Sequence, residues 1–207
     1  EEPEPNAPYV LGADPAVGAN ARNARSSAHV VRAYAAGLDQ VAEYASPFPN
    51  TRQFAWVISS LLGWYGTNGS TIRYALELNG PGTAVFNELR SLKHQLESAS
   101  WLRQQIDEQG LRDIFKNVRT YLYSRPDALS GTGFSLHIKT TGQLKITFME
   151  RLRDYVSNNK CHIRSAALVE EMRTIARDGD TIASPAPMKD DRVLSAAFGV
   201  HCWETGP

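Results

Sequence analysis

Alternation of apolar and polar positions marks the first strands of the chain. At 9–16, Tyr-Val-Leu-Gly-Ala-Asp-Pro-Ala, an apolar run bounded by Pro8 and Pro15 reads as a core strand. Strand side chains alternate, so Asp14 shares a face with Val10 and Gly12, while Tyr9, Leu11 and Ala13 take the other. The strand thus delivers a carboxylate at its exit. A charge at the rim of a core calls for a basic partner or a cation. Residues 17–26, rich in Gly, Asn and Ala with Arg22 and Arg25, read as a mobile loop. Segments 27–35 and 38–46 alternate as two strands joined at Ala36-Gly37, a hairpin beside the first.

The period then switches to that of a helix. Pro47 and Pro49 close the strand run, Asn50 or Thr51 can cap, and Phe54, Val57, Ile58, Leu61, Leu62 and Tyr65 recur at helical spacing up to Gly66. Residues 72–78 alternate again, with Ile72, Tyr74, Leu76 and Leu78 on one face and Arg73, Ala75 and Glu77 on the other. Glu77, like Asp14, stands at a strand exit. A turn at 79–82 leads to a second helix carrying Val85, Leu89, Leu92 and Leu96. The signal over 93–118 is weak and predicts a helical extension followed by an insertion, and 119–124 predicts a fifth strand. After a Gly/Thr-rich stretch at 130–142 comes a helix with Ile146, Met149, Leu152 and Val156. Ser165 caps another with Leu168, Met172 and Ile175, and 181–187 crosses to a last helix starting near Lys189. That helix carries Val193, Leu194, Ala197, Phe198 and Trp203, and helical spacing sets Asp191 over Leu194 and Phe198, toward the core side. The order, strands interleaved with helices, predicts an α/β chain.

Length and composition narrow the picture. A chain of 207 residues with 42% apolar content fits one domain with an ample core. With 22 basic and 22 acidic residues the formal charge is zero, so a polyanionic partner has to be met by a local patch. The stretch 132–165 is such a patch, with six basic residues against Glu150 and Asp154. Cys161 and Cys202 are far apart and suit buried, reduced thiols better than a disulfide framework. The longest apolar window, 54–65, is interrupted by Ser59, Ser60 and Gly63 and is too short for a bilayer. Residues 1–8 are acidic and proline-rich, the composition of a linker remnant, which places residue 1 partway along a longer chain.

Asp14, Glu77 and Asp191, at two strand exits and a helix start, are the ingredients of a two-metal site. Clustered acids repel one another, and hard Mg²⁺ takes oxygen ligands. Two ions about 3.5 to 4 Å apart activate a water and neutralise the leaving oxygen of an in-line displacement, which favours phosphodiester hydrolysis. Each acid has a plainer reading. Asp190 or Asp191 can simply cap a helix, Asp14 before Pro15 can start a turn, and Glu77 can pair with Arg73.

Taken in order, four stretches resemble the nuclease domain of the large terminase subunit of tailed bacteriophages. They are Gly12-Ala13-Asp14-Pro15-Ala16, Leu76-Glu77-Leu78-Asn79 with Gly80 and Gly82, Thr140-Thr141-Gly142 with Lys145, and Lys189-Asp190-Asp191-Arg192-Val193. The resemblance covers almost the whole chain, 9–207, and implies a ribonuclease-H-like fold with a central mixed sheet of five or more strands flanked by helices. It further implies that Asp14, Glu77 and Asp191 bind Mg²⁺ or Mn²⁺, with Asp190 auxiliary. Many relatives carry histidine where this chain has Lys189. The implied activity is cleavage of double-stranded DNA concatemers with low sequence specificity. The implied partners are an ATPase motor domain of the same full-length protein, the portal and the small terminase subunit. The implied place is the host bacterial cytoplasm, transiently at the procapsid, with no membrane.

Lys145, Lys139, Arg22 and Arg25 are candidate phosphate contacts, although solvated surface charge explains each as well. His29, His94, His137, His162 and His201 show no ligand spacing. Trp56, Trp64 and Trp203 sit in helical apolar patterns and read as core. Two other functions stay open: another ribonuclease-H-like nuclease, such as a junction resolvase or integrase core, and a catalytically silent docking domain of a packaging motor. Motifs of other hydrolases, GxSxG, GxxxxGK[ST] and HExxH, do not occur.

Overall fold

The computed structural model describes residues 1–17, 25–98, 123–124, 134–135, 137–179 and 181–205. In chain order its elements are β1 (Pro8–Asp14), β2 (Ser26–Tyr34), β3 (Gly37–Ser46), α1 (Thr51–Tyr65), β4 (Thr71–Leu76), α2 (Gly82–Ser98), β5 (Tyr123–Ser124) and β6 (Phe134–Ser135). They continue with α3 (Gly142–Ser157), β7 (Cys161–His162), α4 (Ala166–Thr174), β8 (Ala176–Asp178), β9 (Thr181–Ala183) and α5 (Asp191–Thr205). No helix among the described residues is long and apolar enough to cross a membrane.

The sheet is mixed, in the order β4-β1-β2-β3-β7. β1, β2 and β3 form an antiparallel meander, and β4 lies parallel to the free side of β1. The hairpin turn falls at Ala35-Ala36, and a bulge at Val41, opposite Val30 and Val31, bends β3. Strand alternation sorts the two layers. Tyr9 and Leu11 face α1, where the Tyr9 and Tyr65 rings sit 4.9 Å apart, and Gly12 faces α5 on the opposite side. Asn50 caps α1 reciprocally with Gln53, and Thr141 and Ser165 cap α3 and α4. α3 packs on α5 through an edge-to-face contact of Phe148 and Phe198 at 5.5 Å.

Several expectations need correction. Among the described residues the fifth strand of the sheet is β7, paired with Leu38 and Asp39. Of the strand predicted over 119–124, Tyr123 and Ser124 form a two-residue ladder with Phe134 and Ser135 apart from the main sheet, and 119–122 lie outside the described residues. Ladders of two residues are too short for alternation to register. β4 ends at Leu76, and the next rung is a parallel bridge from Glu77 to Ile138 that extends the sheet past β4. The segment 93–118 is helical as far as Ser98, and the remainder of it lies outside the described residues. The crossing at 181–187 begins with an exposed hairpin, β8–β9, turning at Gly179 with φ 55°. Trp56 and Trp64 are not core: they are 45% and 55% exposed. They stand with Ser60 at intervals of four on the helix side away from buried Phe54, Ile58 and Leu62. Trp203 is half-buried beneath the Arg73 guanidinium, 5.5 Å from its ring centre. Residues 1–7 lie against the domain, with Asn6 N–H donating to the Asn68 carbonyl and Ser70 Oγ to the Glu4 carbonyl, and Pro8 already pairs with Thr71. Cys161 and Cys202 are buried thiols outside any disulfide, as expected.

The contact that sets the geometry at the exit of β1 is between β1 and α5. A Cβ on Gly12 would lie 2.0 Å from the Ser195 carbonyl oxygen and 2.5 Å from the Gly199 nitrogen, so the helix backbone rests directly on the strand. Gly12→Ala should therefore destabilise by about 2 kcal/mol or more, the scale of core overpacking, as read from urea midpoints. An unchanged midpoint would contradict this contact.

Burial also holds three histidines neutral. It pushes the His29 imidazole down to about 4 and that of His137 to about 3, and burial with the nearby Arg151 charge does the same for His201, to about 3. The unfolded chain takes up these protons near pH 6.5 and the folded one does not, so stability is present above pH 6.5 and is lost as pH falls toward 4 and 3. Each histidine contributes a slope of about 1.4 kcal/mol per pH unit in that window. Urea unfolding at pH 6.5 and 4.5 should show His29→Gln losing less stability over the interval than the parent, and equal losses would count against the neutral assignment.

Candidate metal centre

Two backbone features bring the separated acids together. In the parallel ladder of β1 and β4, Ala13 faces Leu76 and the Glu77 N–H donates to the Ala13 carbonyl at 2.9 Å. Asp14 and Glu77 are therefore neighbours one residue beyond the last pair. The turn behind Glu77 is tight: a Cβ on Gly82 would lie 1.8 Å from the Glu77 carbonyl oxygen and 3.7 Å from the Pro15 ring. Asn79 Nδ2 steadies the acid, donating to Glu77 Oε1 at 3.3 Å and to the Thr140 carbonyl at 2.7 Å.

The β1–α5 contact adds the third acid. Ser195 sits over Gly12, and stepping back four residues along the helix covers about 6 Å. Two residues forward along the strand cover about 6.6 Å, which sets the first turn of α5 beside Asp14. Asp191 opens that turn and is buried. Its Oδ2 accepts the main-chain N–H of Arg25 at 2.8 Å, across 166 residues of sequence. Asp190 supplies its carbonyl to the first helical bond, from Leu194 N–H, and its carboxylate to Lys145 Nζ at 2.7 Å. The plainer reading of Glu77 is not observed, since Arg73 covers Trp203 instead.

The electrostatics follow from this placement. Burial raises the Asp14 carboxyl well above its ordinary value, and the Glu77 charge, a hydrogen bond shared with Glu77 and the charges of Asp191 and Asp190 raise it further. Burial also raises Asp191, against the lowering pull of the Arg25 amide. Among the described residues no basic side chain pairs with Asp14 or Glu77. Nor do three His, Cys, Asp or Glu side chains among them close around one point. A buried oxygen-only donor set with mutual repulsion and no base fits a hard divalent ion. Mg²⁺ retains several waters and takes one or two carboxylates, so a closed protein cage is not required.

Of the candidate phosphate contacts, Lys145 stands at the acids, Lys139 is exposed just past the Ile138 bridge, and Arg25 is bound by Glu171 at 2.8 Å; Arg22 lies outside the described residues. Sequence reasoning missed the Arg25 amide and Glu171. Backbone donors leave no sequence signal. Glu171 does, because it lies three residues after Leu168 and four before Ile175, an acid within an apolar stripe.

A carboxyl whose folded pKa exceeds its unfolded value of 3.8 stabilises the fold below pH 3.8 and loses that contribution as pH rises through the folded value. Above pH 3.8 the Asp14 carboxyl therefore opposes folding of the metal-free chain. Asp14→Asn should raise stability in EDTA at pH 7.5, as read from the melting temperature. A lower melting temperature in that variant would argue against the repulsion.

No family model and no curated protein sequence matches the chain. Solved structures do. The large terminase nuclease from thermophilic phage G20c with bound magnesium aligns with a TM-score of 0.62 at 15% identity, covering 97% of this chain and 84% of that one. The same nuclease with bound cobalt aligns at 0.61 and 15%, over 97% and 84%. The human cytomegalovirus terminase nuclease domain, Mn soaked and inhibitor bound, aligns at 0.57 and 12%, over 95% and 83%. At these identities the likeness is one of fold, and the expected ribonuclease-H-like α/β architecture is the one observed.

Proposed function

We propose that this chain is a divalent-metal-dependent endonuclease that cuts double-stranded viral DNA during genome packaging. Asp14, Glu77 and Asp191 are its metal-binding acids and Asp190 is auxiliary. The observation that carries this reading is the gathering of acids from three distant segments about a buried Asp14 that lacks a basic partner among the described residues. Support also comes from fold neighbours that are terminase nucleases with bound magnesium or cobalt, or soaked with Mn.

When bound, Mg²⁺ or Mn²⁺ supplies an activated water and charge neutralisation for an in-line displacement at phosphorus. The chain's own residues prepare for that. Asn79 aims Glu77, the Arg25 amide holds Asp191, and Lys145 holds Asp190 while adding positive charge where a phosphate would approach. Lys145, Lys139 and Arg22 are the proposed phosphate contacts, a sequence-independent grip that suits low specificity, while the Arg25 guanidinium is taken by Glu171. With zero formal charge the chain alone binds DNA weakly, and an ATPase motor domain of the full-length protein, with the portal and small terminase subunit, presents the substrate. The proposed setting is the host bacterial cytoplasm, at the procapsid.

Asp14→Ala, Glu77→Ala and Asp191→Ala should each reduce plasmid cleavage in Mg²⁺ or Mn²⁺ by at least about a hundredfold, the several kcal/mol a catalytic ion contributes. Circular dichroism would verify the fold of each. EDTA should abolish cleavage and added Mn²⁺ restore it. Full activity in all three variants would refute the proposal, and strong preference for a four-way junction over linear duplex would move the assignment to a resolvase.

A further inference from the structure

Glu171 on α4 is about nine-tenths buried and accepts three hydrogen bonds. Its Oε1 takes Arg25 Nη1 and Arg192 Nη1, each at 2.8 Å, and its Oε2 takes the Arg192 main-chain N–H at 2.9 Å. Every one of these donors belongs to a residue that touches or adjoins Asp191. Arg25 gives Asp191 its amide hydrogen bond, and Arg192 follows Asp191 in the first turn of α5. Arg192 also reaches Glu43 on β3 through Nε at 2.9 Å, so its guanidinium spans from the sheet to α4. The far side of Arg25 is tied as well, because Ser26 Oγ bonds both the N–H and the carbonyl of Ala16, just past the end of β1.

We infer that Glu171 is a positioning residue for the metal centre, holding Asp191 in place by gripping Arg25 and Arg192. The inference rests on Asp191 being a metal-binding acid. Two effects act together. The grip fixes the Arg25 backbone whose N–H orients the Asp191 carboxylate, as outer residues orient metal ligands elsewhere. It also binds the guanidinium groups of Arg25 and Arg192 on its own carboxylate. Asp191 thereby receives a neutral amide and keeps its charge available. Two arginines and the carboxylates of Glu171 and Glu43 together are neutral, so the group can sit half-buried beside the acids without adding net charge.

The test uses Glu171→Gln, which keeps the shape and removes the charge, with two readouts that do not depend on cleavage. Amide hydrogen exchange in metal-free protein, read by NMR, should show the Arg25 N–H exchanging faster. Electron paramagnetic resonance titration with Mn²⁺ should show binding weakened about 10- to 100-fold, the cost of losing an outer-sphere partner. Amides of β1 to β3 should keep their protection. Unchanged Arg25 exchange and unchanged Mn²⁺ affinity would overturn the inference, and so would a uniform loss of protection across the sheet, which marks a merely structural role. If Glu171→Gln fails to fold, Arg25→Met, which retains the amide and the aliphatic stem, is measured in the same two ways, and the same results support or overturn the inference. Should the parent bind no Mn²⁺ and Asp191→Asn change nothing, the metal reading fails while the Arg25 exchange still decides the positioning role.

Discussion

The site depends on how closely α5 lies on β1. Gly12 leaves the strand backbone bare at the point where the Ser195 carbonyl and Gly199 descend on it, and any side chain there would lift the helix. Because one helical turn and two strand residues cover nearly the same length, that single contact also sets the start of α5 beside the end of β1. The parallel register of β1 with β4 then fixes the remaining acid. Three carboxylates are thus brought near one another by backbone packing.

Such packing collects charge that the metal-free fold does not welcome. Asp14 is buried among acids, and its raised carboxyl records the cost. The neighbouring charges are arranged differently. Lys145 is committed to Asp190, and Arg25 and Arg192 are committed to Glu171 and Glu43, which leaves Asp14 and Glu77 without a base among the described residues. A cluster that spent its arginines on the central acids would be more stable alone and poorer at taking up a cation, the usual tension between stability and a working site.

Much of this was legible in the chain. Alternation located β1 to β4 within a residue or two, capping residues Asn50 and Ser165 start their helices, and the three acids at element ends were visible as misplaced charge. Other features were not. Two-residue strands such as β7 carry no period, and a stripe of Trp56 and Trp64 looks like core until the opposite face of α1 is seen to be the buried one.

Periodicity and end signals, which are local, determined the elements and the acids each one carries. Only the tertiary structure decided that Asp14 lies beside Glu77 across a parallel register, that Asp191 is held by an amide 166 residues away, and that Glu171 controls the arginines around it. Register and helix docking are set by backbone approach and by the sum of many weak contacts, which leave no mark at any single position.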